Sequence, residues 1–435
     1  MQGSVWGSIF CVVLMDKLGK HVYKNKELLY YYKGVVGCPP LRMVDDVLGL
    51  QNCLAKSKQL NTVVNTFMEL EKLTLSKTKC HKLHIGKNVN LCPDMIVHGE
   101  VIKNSKMEKY LGDIISSSGS AKPNLAKRLS RGWGRVSEIL GLVKEAPLGY
   151  RRIAAGLLFR KSLLINTMLF NIEAWHNISN AQVEAFEKID EALLRGLVSG
   201  HSKLPLPALY LETGQVPIRY ILSTRRILYL QTILHREPDE LIHRVYKAQK
   251  DDPSEGDFCQ LVAQDCQLIN CQLSDQQIAS MDKYSLKMLV KKKTKEAAFK
   301  DLMAIKETKS KMDSILYLDS YKPQPYILTL PRDQSSLLLA LRTRTFRGIR
   351  SDFGDIFPSK ECPLPDCSEP NSLPHTLTCR VLQGSVTEPS TVQYGDVFSP
   401  DLTVQREAVA RFSRILEARD TILTSGQRTP VQDTR

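Results

Sequence analysis

The spacing of apolar positions changes character near residue 118 of this chain, and the change predicts two differently built halves. Upstream, helical and strand periods are mixed. In "KQLNTVVNTFMELEKL", Leu60, Val63, Val64, Phe67 and Met68 recur at i, i+3, i+4, i+7 and i+8, which puts them on one face of a helix. "CHKLHIG", "MIVHGEVI" and "KYLGDIIS" read as short strands, the second with a His-Gly turn in its middle. A small sheet with a helix packed on it is the expectation.

From about residue 120 to about 312 nearly every segment has a helical period, interrupted by Pro and Gly at "EAPLGY", "SKLPLP", "ETGQVP" and "KDDPSEGD". "AQVEAFEKIDEALLRGL" is the most regular, with Val183, Phe186, Ile189, Leu193 and Leu194 on one face and Gly196 placed to cap it. This predicts a helical bundle rather than a repeat array. Past residue 320 come prolines, a basic run, a cysteine cluster and, from about 383, a polar tail. Within that tail "DLTVQREAVARFSRILEARDTIL" predicts a helix, and the last ten or so residues read as disordered.

Composition narrows the class. With 435 residues and 43% hydrophobic content the chain can build packed cores. Its 60 Lys and Arg against 46 Asp and Glu leave a net charge of +14, which favours a polyanionic partner, nucleic acid first and an anionic membrane second. The run "VWGSIFCVVLM" follows no basic segment, meets Asp16 and Lys17 at once and is too short to span a bilayer, so neither export nor a membrane partner is expected. Eleven cysteines, mostly scattered, fit reduced thiols in an intracellular protein of the nucleus or cytoplasm.

Chemistry enters at "RMVDDVLG", where Asp45 and Asp46 lie side by side among apolar residues. Such a pair can simply make a turn. Alternatively, two carboxylates at a hairpin tip can coordinate Mg²⁺, which offsets their repulsion and positions phosphate oxygens. Around the pair the chain gives "MQGSVWGSIF", "GCPPLRMVDDVLGLQ", the amphipathic helix, "LTLSKTKCHKLHIG" and "KMEKYLGDIISSSG", in that order. In order and spacing this resembles the palm of the reverse transcriptases of non-LTR (LINE-type) retrotransposons.

The resemblance implies site residues. Gln2, Gly3 and Lys77 would support template and incoming nucleotide, Asp45 and Asp46 would hold catalytic Mg²⁺, and Lys79 would lie with Lys77 in the segment that follows. Tyr110, Leu111 and Gly112 would grip the primer strand. Met43 stands where most members carry an aromatic residue, and no carboxylate among residues 1 to 40 matches the context of the family's earlier palm Asp. The chain therefore resembles the C-terminal portion of such an enzyme. It is expected to bind nucleic acid and, alone, to polymerise little.

Beyond "YLGD", the helix "AKRLSRGWGRVSEILGLV" sets Arg128, Arg131 and Arg135 on one stripe with Trp133 between them, either a solvated face or a phosphate-binding one. Gly132 and Gly134 would each cost about 1 kcal/mol relative to Ala in a helix interior, which suggests a kink or a close backbone approach. By resemblance this is the thumb, which holds the primer and template duplex. The likeness continues through "LYLETGQVPIRYILSTRRILYLQ". "KMLVKKKTKEAAFK" adds Lys287, Lys291, Lys292, Lys293, Lys295 and Lys300, again a solvated face or a phosphate contact.

Cys362, Cys367, His375 and Cys379 form a C-x4-C-x7-H-x3-C pattern, four donors suited to tetrahedral Zn²⁺ in a Pro-rich segment with little core of its own. The family often carries a Cys-Cys-His-Cys knuckle here, usually with two residues between the first pair; Pro365 occupies that second-cysteine position. Arg342, Arg344, Arg347 and Arg350 lie just upstream as a basic arm. No nuclease domain is expected beyond the knuckle.

Together these readings predict an α+β fold with a partial palm over 1–118, a helical thumb and connector over 119–312, a basic arm and zinc knuckle over 313–382, and a polar tail over 383–435. The implied function is that of a truncated RNA-directed DNA polymerase with RNA template, DNA primer and dNTP as partners. The alternative is a non-catalytic RNA- or DNA-binding fragment that uses thumb and knuckle alone.

Overall fold

The computed structural model describes residues 5–43, 46–74, 76–86, 94–97, 100–145, 152–175, 178–198, 204–308, 321–343, 361–383 and 392–426. The expected disorder of the last residues lies outside this set. Upstream of residue 118 the elements are α1 (Val5–Lys24), β1 (Tyr30–Tyr32), β2 (Val36–Cys38), β3 (Leu41–Met43), β4 (Asp46–Leu48), α2 (Leu54–Leu70), β5 (Lys82–Leu83), β6 (Met95–Val97), β7 (Glu100–Ile102), β8 (Asn104–Ser105), β9 (Met107–Tyr110) and β10 (Asp113–Ser116). Instead of the single small sheet expected, these strands make five separate two-stranded pairs among the described residues. Strands of two to four residues expose too little continuous apolar surface to stack into one sheet.

The amphipathic stripe of α2 is real. Leu60, Phe67 and Met68 are buried against Met15, Leu18, Val22, Leu28 and Leu29. At about 1.5–3 kcal/mol per fully buried large side chain, this small core is the main support of the first half. Arg42 of β3 donates to the Met15 carbonyl, and Gln51 donates to the Leu28 carbonyl, so the β3–β4 hairpin is tied to α1 and its following turn. No helix of the described residues is long and apolar enough to cross a membrane.

The helical part comprises α3 (Lys122–Glu145), α4 (Arg152–Phe159), a π turn (Arg160–Leu164), α5 (Ile165–Met168), α6 (Asn180–Val198), α7 (Leu206–Thr213), α8 (Ile218–Leu234), α9 (Leu241–Asp251), α10 (Phe258–Leu268), α11 (Asp275–Ser280), α12 (Lys283–Thr308), α13 (Pro325–Thr329) and α14 (Arg332–Arg342). Phe186, Ile189, Leu193 and Leu194 of α6 are completely buried, as their spacing predicts. α3 runs unbroken through both glycines. A Cβ on Gly132 would come within 3.0 Å of Met168 and 3.1 Å of Ile189, whereas one on Gly134 would meet nothing. Gly132 is thus a close approach between helices, not a kink.

Among the described residues, three buried ion pairs lock this bundle. Arg160 grips both carboxylate oxygens of Asp190 at 2.6 and 2.7 Å, and the Tyr210 hydroxyl donates to the same carboxylate at 3.0 Å. Arg342 donates to Glu212 at 2.9 Å, beside the Tyr326 hydroxyl at 3.1 Å. Arg226 and the Ser223 hydroxyl donate to Asp265 at 3.0 and 2.7 Å. The segments "LYLETG" and "TRRI" therefore act through buried polar groups. Gly214, with φ +62°, ends α7 where a Cβ would fall 2.2 Å from the Pro323 nitrogen, so only glycine fits.

After α14 come α15 (Leu373–Thr378), α16 (Arg380–Gln383) and α17 (Leu402–Gly426). The predicted tail helix exists, but it is no appendage. Ala408, Val409, Phe412 and Ile415 are buried in the same core as α6 and α8, with α17 packed on α13, α14, α15 and α16.

Candidate nucleic-acid and metal sites

"KYLGDIIS", expected as a strand, is a hairpin. Tyr110 pairs with Asp113, and the two residues between them, Leu111 at φ +47° and Gly112 at φ +93°, both take the left-handed conformation of a tight turn. Leucine is an unusual occupant of such a position, which is why turn chemistry did not reveal it. A Cβ on Gly112 would stand 3.3 Å from the Phe170 ring, so the tip is seated against the helical part.

The side chain that fixes the hairpin is Asp113. It accepts from Arg128 at 2.6 Å and from Asn124 at 2.9 Å, one turn apart on α3, while Lys127 donates to the Gly112 carbonyl at 2.7 Å. The Arg128 guanidinium also lies over the Phe170 ring at 4.8 Å. Asp113, Asn124 and Lys127 were not singled out from the sequence; the signal was the i, i+4 relation of Asn124 and Arg128 just after an acidic turn.

The expected arginine stripe divides accordingly. Arg128 is 3% exposed and turned inward to Asp113, because a carboxylate within reach outweighs hydration. Arg135 pairs with Glu138. Arg131 is exposed, next to Trp133 at 50% exposure. Partial burial, followed by repulsion from Arg131, Arg128 and Lys109, holds the Lys127 ammonium below its usual range. Lys109, Lys127 and Arg131 thus make a cationic cluster beside the turn.

Asp46, the exposed first residue of β4, pairs across its hairpin with Met43. Burial first, and then the Asp46 carboxylate, push the Tyr110 hydroxyl above its ordinary value. Asp45, Gln2 and Gly3 lie outside the described residues, and Lys77 and Lys79 bound a short 3₁₀ turn. Mg²⁺ has no support among the described residues, where one group of side chains is arranged to hold a metal ion.

That group is Cys362, Cys367, His375 and Cys379, whose donor atoms all lie within 4.8 Å of one another. Cys367 Sγ is 3.3 Å from His375 Nε2 and 3.9 Å from Cys379 Sγ. These are separations that four ligands around one tetrahedral ion require, since Zn–S and Zn–N bonds are about 2.3 and 2.0 Å. The longer loop between the first two cysteines is accommodated by Asp366 at φ +58° and by the Cys362 amide donating to the Glu369 carbonyl at 2.7 Å. Ser372 caps α15 through the His375 amide and so aims the histidine. Burial pushes the Cys362 thiol up to about 11, with lesser contributions from Cys367 and Cys379.

Arg419 of α17, buried at 3% exposure, donates to Asn371 at 3.0 Å; burial holds its guanidinium below the usual range, and Cys362, Asp420 and Cys379 partly offset that. Its Nε has no hydrogen-bond partner. A centre with three thiolates and one histidine on a divalent ion carries net −1, the charge a buried guanidinium would balance. The basic arm fares differently: Arg342 is the buried partner of Glu212, and Arg344, Arg347 and Arg350 lie outside the described residues.

No family model, curated protein or solved structure matches this chain.

Proposed function

We propose that this chain is the primer- and template-binding portion of an RNA-directed DNA polymerase of the non-LTR retrotransposon type. One observation carries the reading: Asp46 lies within electrostatic reach of Tyr110, whose hairpin is clamped to the basic helix α3 through Asp113 and Arg128. In this reading the primer end lies between β4 and the Tyr110 turn, and Lys109, Lys127 and Arg131 meet phosphates of the duplex. Arg128 is a positioning residue that sets the hairpin against α3. Mg²⁺ would be held by Asp45 and Asp46, and nucleotidyl transfer requires a further carboxylate to clamp both ions.

The Cys362, Cys367, His375 and Cys379 cluster holds structural Zn²⁺ in this proposal. It also favours a second reading, a non-catalytic RNA- or DNA-binding module, because it is the arrangement among the described residues that suits a metal.

Binding to an RNA–DNA hybrid with a recessed 3′ end separates these readings from a chain without either role. Affinity should fall steeply with salt, and Lys127→Gln with Arg131→Gln should flatten the log–log slope by about 2. Salt-independent affinity removes both readings. Template-directed incorporation lost in Asp46→Asn supports the polymerase, whereas binding without incorporation, even with a separately supplied segment bearing a further carboxylate, supports the module.

A further inference from the structure

Helix α12 carries a row of cations with no ion pair among the described residues. Lys287, Lys291 and Lys295 recur at i, i+4 and i+8, and all three are exposed. A helix rises 1.5 Å per residue, so neighbours in the row stand about 6 Å apart along the axis, comparable to successive phosphates on an extended strand. The acidic residues of α12 near the row are engaged elsewhere: Glu296 pairs with Lys292 and Lys293, and Asp301 accepts from the Tyr220 hydroxyl.

A fourth lysine joins from another element. Lys161 is exposed on the π turn, immediately after the inward-pointing Arg160. π turns interrupt helices at functional positions more often than chance would place them there. Burial, and then Lys287, Lys161 and Lys295, hold the Lys291 ammonium below its usual range. At the start of the row Tyr284 is 71% exposed, with Met288 beside it at 50%.

We propose that Lys161, Lys287, Lys291 and Lys295 track the phosphodiester backbone of a single-stranded nucleic acid, with a base stacked on Tyr284. A linear row ending in an exposed aromatic ring suits one strand. An anionic membrane would press on a broad face, whereas Lys287, Lys291 and Lys295 form a single line along one helix. The proposal rests on the nucleic-acid reading above, but on a surface distinct from the Tyr110 hairpin.

The test uses the full chain and a labelled single-stranded RNA of about 20 pyrimidine nucleotides, a length that covers typical single-strand site sizes. The triple variant Lys287→Gln, Lys291→Gln, Lys295→Gln should weaken binding at least tenfold and flatten the log–log salt slope by about 2. Lys292→Gln, Lys293→Gln, Lys300→Gln removes the same charge off the row and should change affinity by less than about threefold. Tyr284→Ala should lose about tenfold and Tyr284→Phe should not. Equal losses from the two triples, or none from the first with its circular dichroism unchanged, overturn the proposal. So does loss of binding to phosphatidylserine vesicles with RNA affinity intact. Because the probe has no duplex, failure here leaves the hybrid-binding test through Lys127 and Arg131 standing.

Discussion

The part of the chain before residue 118 and the bundle after it are stabilised by different means. The first rests, among the described residues, on a core of eight buried side chains and on two-stranded pairs, which are marginal by themselves. The second has one continuous core from α3 to α17, threaded by buried Arg–carboxylate pairs. Among the described residues, two bridges between them stand out. One is Asp113 with Arg128; the other is Lys33, whose Nζ lies 3.0 Å from Asp257, beside a cluster of Val36 and Cys38 packed on Ala248 of α9. The difference teaches that the bundle is the scaffold and the hairpins are held in place by it. A site built between them is as rigid as those bridges.

The largest expected effect is in the bundle. Arg342→Met leaves Glu212 buried without its cation, at a cost of about 3–5 kcal/mol, measurable by denaturant unfolding. Removing Glu212 and Arg342 together, with apolar replacements of similar volume, should recover most of that loss. If the single and double variants are equally unstable, the pair is not what locks α7 to α14.

Next comes the metal centre. The intact chain should contain one zinc per molecule, and Arg419→Met should weaken zinc affinity about tenfold or more without removing a ligand. Zinc binding must release thiol protons, and Cys362 holds its proton up to about 11, so affinity should fall as pH falls. Competition with a chelator at several pH values reads both effects. Retention of wild-type affinity in Arg419→Met contradicts the link between α17 and the centre.

The smallest global effect belongs to the bridges. Lys33→Ala should speed amide exchange across β1 and β2 while moving the midpoint of thermal unfolding by no more than about 2 °C. A large fall in that midpoint would mean that the halves unfold as one unit.

How much of this was legible in the sequence follows from what periodicity encodes. Apolar spacing located α2, α6 and α17, and ligand spacing located the cysteine and histidine cluster, because both depend on chemistry repeated at fixed intervals. It could not show which arginines point inward. Arg128, Arg160, Arg226, Arg342 and Arg419 are all buried, and each donates to a group distant in sequence. Nor could composition reveal that the polar helix α17 is part of the core, since only one face of it is apolar. The Leu111–Gly112 turn escaped because tertiary seating against Phe170, rather than turn propensity, holds it.

The most direct measurement of the central claim is hydrogen exchange of the full chain with and without a recessed RNA–DNA hybrid. Protection should concentrate in β9, β10 and the first half of α3, with α10 and α11 unchanged. Protection spread evenly over the surface, or absent from the Tyr110 hairpin while the hybrid is bound, would contradict a primer site at that junction.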